Sequence, residues 1–179
     1  MTACIIILSG ERGAGKSTVC RKTVSLAQAQ GYVCGGLITL RCPGDDLDVL
    51  DARDGSTRRL TLDPGDSPAV IQGRFRFSPG TLAWGNNVLA RAAPCDLLVV
   101  DELGPLEIEQ GWGWQRAFSV LHKAKFALAL VVVRPELVAQ AQLKLPKSAM
   151  TVLTVTNQNR GGLPVTLLGM LEREKCLFQ

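Results

Sequence analysis

The stretch Ile5-Ile6-Ile7-Leu8-Ser9-Gly10-Glu11-Arg12-Gly13-Ala14-Gly15-Lys16-Ser17-Thr18 decides how the rest of the chain is read. Its apolar start shows no polar alternation, the pattern of a parallel strand covered on both faces. The continuation reads G-x-x-x-x-G-K-S, the P-loop pattern. Phosphate oxygens need many donors at short range, and glycines at 10, 13 and 15 let backbone N–H groups point into one concavity without Cβ obstruction. A helix predicted to start near Lys16 adds its positive end. The expected nucleotide-binding residues are therefore Gly10, Glu11, Arg12, Gly13, Ala14, Gly15, Lys16, Ser17 and Thr18. Lys16 is expected to reach the β- and γ-phosphates in a catalytic role, and the Ser17 hydroxyl to take a position on Mg²⁺.

A second segment, Asp96-Leu97-Leu98-Val99-Val100-Asp101-Glu102, answers the first. Four apolar residues carry Asp101 to the carboxyl end of a predicted strand, where open α/β sheets place their ligands. Asp101 suits Mg²⁺, held directly or through water. Glu102 suits a group that orients and deprotonates an attacking water.

With 179 residues and 46% hydrophobic content, the chain is read as a single P-loop domain over 1–179. The net charge of +4 is spread without a block of like charges, so no dedicated nucleic-acid binding is expected. Six cysteines form no C-x-x-C pair, which points to a reducing compartment and no structural zinc. The first apolar run is too short for a membrane span and lacks the basic lead of a signal peptide, so the expected location is cytoplasmic, with no membrane partner.

Residues 16–30 carry a helical face of Val19, Thr23, Leu26 and Ala27, stopped by Gly31. Residues 35–40 read as a strand and 47–52 as the next, with Asp54-Gly55 as a turn and 60–62 as the antiparallel return of an inserted hairpin. Arg53, Arg58 and Arg59 have two readings, an anion site or a solvated edge. Arg74-Phe75-Arg76-Phe77 alternates as a half-exposed strand does, and the same alternation can stack on a base. Helices are expected over 81–92, 115–123, 135–143 and 164–175, and strands over 127–133 and 151–155. Glu107 is read as a supporting or solvated group, and His122 as a surface residue. Trp112 and Trp114 cover a core edge or face a partner, an unidentified protein among the options. Arg134 follows a strand at the same edge as Asp101, as a catalytic arginine finger or as an ion-pair partner of Glu136. Asn159 and Arg160 lie in a polar loop, either a plain turn or a contact to the nucleobase.

The P-loop at 10–18, Val100-Asp101-Glu102-Leu103-Gly104-Pro105-Leu106-Glu107, Arg134 and Asn159-Arg160 together resemble the small cancer-related, thermophile-type nucleoside-triphosphatase family. The order and spacing of these motifs over nearly the whole chain carry the resemblance. It implies a three-layer α/β P-loop NTPase fold, with a RecA-like, mostly parallel sheet and an inserted antiparallel hairpin. It further implies Mg²⁺-dependent hydrolysis of NTP to NDP and phosphate with broad base tolerance. The chain departs from many members in having Pro105-Leu106 where they have Lys-Met, and Val133 where a His often precedes the arginine. Two other functions stand beside hydrolysis: a small nucleotide or metabolite kinase, and a nucleotide-binding adapter or switch with incidental hydrolysis.

Overall fold

The structure, a computed structural model, describes residues 4–147 and 149–178. In chain order its elements are β1 (Cys4–Ser9), α1 (Lys16–Ala29), β2 (Cys34–Arg41), β3 (Leu47–Asp51), β4 (Thr57–Arg59), β5 (Val70–Gln72), β6 (Phe75–Phe77), α2 (Pro79–Ala90), β7 (Leu97–Leu103), α3 (Pro105–Ile108), α4 (Arg116–Lys123), β8 (Leu128–Val133), α5 (Val138–Lys144), β9 (Met150–Thr154) and α6 (Leu163–Phe178). The main sheet has seven strands in the order β4-β3-β2-β7-β8-β1-β9. From β2 to β9 the pairings are parallel, and β3 and β4 extend the sheet antiparallel.

Continuous apolar strands are explained by what covers each face. Ile5 and Ile7 join one buried cluster with Leu82 and Leu89 of α2 and Ala117 and Leu121 of α4. Ile6 and Leu8 point the other way, into a cluster with Val19, Val24 and Ala27 of α1 and Leu167 and Leu171 of α6. Alternate side chains of a strand leave opposite faces, so both must be apolar when helices cover both. This three-layer α/β arrangement bears out the expected fold.

The hairpin departs from its predicted boundaries. The return strand is β4, where Asp48, Val49 and Leu50 face Arg59, Arg58 and Thr57, not residues 60–62. The connection is longer than a two-residue turn because Asp51 ties it down: Gly55 N–H donates to the Asp51 carbonyl at 3.0 Å and Arg53 N–H to its carboxylate at 2.9 Å. The arginines there bind the protein itself. Arg53 donates to the Ala92 carbonyl at 2.7 Å, Arg58 lies 5.1 Å from the Trp84 ring centroid, and Arg59 meets Asp46 at 2.5 Å. The strand read at 74–77 pairs with β5 to form a separate two-stranded sheet.

Candidate active site

Register brings the two signature segments to one edge. Ile7 of β1 is level with Val131 of β8, and Val131 with Val100 of β7. Asp101 and Glu102 therefore leave the sheet beside the turn that follows β1, with β8 between them. That turn connects β1 to α1 as predicted. Gly10 has φ 136°, and a Cβ there would lie 2.4 Å from the Val155 carbonyl oxygen, so only glycine fits. Lys16 folds back over the loop, its Nζ donating to the carbonyls of Gly10 at 2.5 Å and Glu11 at 2.9 Å.

Asp101 is only 2% exposed. Its carboxylate accepts a hydrogen bond from the Thr39 N–H at 3.1 Å, while the Thr39 hydroxyl donates to the Asp101 carbonyl at 2.6 Å. Burial pushes its carboxyl up to about 7, with the Glu102 charge adding to the rise and a hydrogen bond to Ser17 opposing it. Asp101 and Ser17 thus line one cleft although the sequence separates them widely. Glu102 is half-buried, and its Oε1 accepts from Arg134 Nε at 2.5 Å. The structure therefore pairs Arg134 with Glu102 rather than with Glu136.

Two residues outside the expected site set complete this edge, Thr39, which sequence reasoning missed, and Glu107, which takes the supporting one of its two readings. Thr39 comes from β2, and nothing in its local sequence marks it. Glu107 is neither solvated nor idle. Its Oε2 accepts from the Gly104 N–H at 2.9 Å and its Oε1 from the Trp114 N–H at 3.0 Å, which clamps the turn after Glu102 to the loop at 111–115. Burial pushes this carboxyl up to about 7, against those hydrogen bonds. Trp114 is part of the core, whereas Trp112 is 60% exposed.

Asn159 is occupied differently from the base contact considered for it. Its amide nitrogen donates to the Thr154 carbonyl at 2.8 Å, and its oxygen accepts from the Thr156 N–H at 2.8 Å, so it shapes the loop. The Arg160 side chain lies over Gly15, its Cδ 3.2 Å from where a Cβ would stand. His122 is exposed, as expected, and meets the Lys144 carbonyl at 2.9 Å.

A cleft of about 1120 Å³ runs along this edge, lined by Lys16, Ser17, Asp101, Glu102 and Arg134 among others. Among the described residues no cluster of three or more His, Cys, Asp and Glu gathers as a metal cage. One carboxylate and one hydroxyl facing a phosphate loop is instead the donor set that Mg²⁺ shares with substrate phosphates. No helix among the described residues is long and apolar enough to cross a membrane, and the six cysteines are free thiols.

A strand running into a glycine-rich phosphate loop, faced by an acidic strand end two strands away, defines a P-loop nucleotide-binding protein. A family model described as NTPase matches residues 5–168. The nucleoside-triphosphatase THEP1 of Methanosarcina acetivorans is 31% identical over 165 residues, covering 89% of this chain and 91% of its own length. That of Methanosarcina barkeri is 32% identical, covering 89% and 92%. In fold, the chain is similar to a human cancer-related nucleoside triphosphatase with a TM-score of 0.72 and 20% identity, over 96% of this chain and 98% of that one. THEP1 of Aquifex aeolicus gives a TM-score of 0.70 and 17% identity, over 94% and 99%. The chain belongs to the NTPase family.

Proposed function

We propose that the hydrolysis of nucleoside triphosphates to diphosphate and phosphate, which membership of this family gives the chain, takes place in the cleft between the P-loop and the Asp101-Glu102 strand end. The observation that supports the assignment is that Lys16 and Ser17 of the phosphate loop and the acidic pair Asp101 and Glu102 line one cleft. The reading of residues 1–179 as one P-loop domain and of the protein as cytoplasmic belongs to the same proposal, the latter resting on free thiols.

Residues 10–18 bind the triphosphate through backbone N–H groups, and Lys16 supplies charge to its terminal phosphates. Asp101 and Ser17 would hold Mg²⁺, which would supply positive charge to the phosphates. The fit is electrostatic as well as geometric: a buried carboxylate that resists ionisation gains from a cation beside it. Glu102 orients the attacking water and takes its proton, and Arg134 holds Glu102 in place through Nε. Asn159 shapes the loop from which Arg160 reaches over Gly15 toward the nucleoside. The broad base range that the family resemblance implies belongs to the same reading.

The test is phosphate release from ATP, GTP, CTP and UTP with and without magnesium. Glu102→Gln is expected to keep MgATP binding and lose turnover by about 10²–10⁴-fold, the worth of a positioned base. Lys16→Ala is expected to weaken both binding and turnover. Unchanged turnover in Glu102→Gln would remove Glu102 from the water-activating role.

A further inference from the structure

β7 does not end as a regular strand. Val100 lies opposite Val131 and Leu103 opposite Val133, so three steps along β7 match two along β8 and a bulge holds Asp101 and Glu102. The ladder is disrupted there, so the sheet alone does not fix where the two side chains point. Thr39 of β2 holds the Asp101 half, through its hydrogen bonds to the carboxylate and the carbonyl. The Glu102 half needs a support of its own. Its ion pair with Arg134 joins two side chains that are both partly open to solvent, which is a weak restraint.

A firmer hold comes through Gly104. A Cβ there would lie 3.7 Å from both Glu102 Oε1 and Glu107 Oε2, so the two carboxylates flank one residue. Glu107 ties that residue down, accepting the Gly104 N–H on Oε2 and the Trp114 N–H on Oε1. The far end of the clamp is anchored in turn. Trp114 is buried in the core beside α2 and α4, and Asn86 of α2 donates to the Gly113 carbonyl at 2.8 Å and accepts from the Arg116 N–H at 2.9 Å. Hydrogen bonds therefore run unbroken from α2 through residues 113–116 and Glu107 to the backbone beside Glu102. Burial pushes the Glu107 carboxyl up to about 7 against both of its hydrogen bonds, so the fold holds this group at a cost. Residues kept at such a cost gather at functional sites.

We infer that Glu107, anchored on α2 through Asn86, is a positioning residue for hydrolysis, setting where Glu102 holds the attacking water. The role rests on Glu102 orienting that water, as read under Proposed function. Positioning acts on the chemical step and not on nucleotide affinity: a reacting group displaced by about 1 Å costs about 100-fold in rate, while the phosphate loop binds as before. Asn86 lies outside the cleft lining and in another element, so its effect on turnover can pass only through this chain of contacts.

The experiment measures steady-state hydrolysis of MgATP, and MgATP affinity by calorimetry, in the full chain carrying Glu107→Gln or Asn86→Ala, each alone and combined with Glu102→Ala. Glutamine keeps the shape of Glu107 but turns an amide N–H₂ toward one of the two backbone donors, so one arm of the clamp opens. We expect kcat to fall about ten- to hundredfold in Glu107→Gln and about threefold or more in Asn86→Ala, with KM and affinity within about twofold of the parent. On Glu102→Ala the same changes are expected to alter the residual turnover by less than about twofold, because the group they position is already gone. A residue that only stabilises the fold lowers turnover by the same factor in both backgrounds. Equal factors in the two backgrounds, or an unchanged kcat in Glu107→Gln that circular dichroism shows to be folded, overturns the inference. Where Glu107→Gln does not fold, Asn86→Ala decides by the same comparison. Undiminished turnover in Glu102→Ala removes the reading of Glu102 first; lost turnover in Glu102→Ala with none lost in Glu107→Gln sinks the positioning role alone.

Discussion

Asp101→Asn is expected to make the nucleotide-free protein more stable at alkaline pH while removing its activity. The side chain is buried, and burial raises its carboxyl from the ordinary 3.8 to about 7. Between those two values the folded protein keeps a proton that the unfolded chain has released, so the native state binds more protons and stability falls as the pH rises. The contribution is intact below about pH 4 and lost above about pH 7. At ~1.4 kcal/mol per pKa step, a rise of about three steps sets a ceiling near 4 kcal/mol. At ~2–4 °C per kcal/mol for a chain of this size, that ceiling is about 8–16 °C in Tm. Asparagine keeps an oxygen for the Thr39 N–H and never ionises. The assay is thermal unfolding followed by circular dichroism, without nucleotide or magnesium, at about pH 4 and pH 8. The variant should gain several degrees over the parent at the higher pH and little at the lower. Glu107, whose carboxyl is also raised by burial, is present in both proteins and cancels in the comparison. A variant no more stable than the parent at the higher pH, or a gap equal at both, would refute the claim that burial penalises the Asp101 charge.

Glu107→Ala leaves the N–H groups of Gly104 and Trp114 without acceptors, and should cost about 2–4 kcal/mol in urea unfolding, the penalty for buried unsatisfied donors. Arg134→Ala releases the Glu102 carboxylate; we expect kcat to fall about ten- to hundredfold with KM for ATP nearly unchanged, as steady-state kinetics will show. Gly36→Ala should abolish soluble protein, judged by expression and gel filtration: a Cβ there would stand 1.9 Å from the Val99 carbonyl oxygen, between two paired strands at a φ of 109°.

Strand type and the phosphate loop were legible because both are local. An unbroken apolar run between residues 5 and 8 has one economical explanation, a strand covered on both sides, and the two clusters that receive its alternate side chains are that explanation in three dimensions. The loop was legible from the spacing of its glycines and Lys16, although the carbonyl that excludes a side chain at 10 belongs to Val155, far along the chain. Family motifs were legible for the same reason, as spacing along the chain.

What the sequence by itself determined, then, is a phosphate loop, an acidic strand end, and the α/β alternation that carries both. Only the tertiary structure decided which groups meet: Thr39 under Asp101, Arg134 on Glu102, Glu107 on two backbone donors, Asn159 within its own loop, and Phe75 on the wall of the nucleotide cleft. Those pairings depend on strand order and register between segments distant in the chain. Local propensity sets a residue's conformation, but its partner is chosen by the packing of the whole sheet.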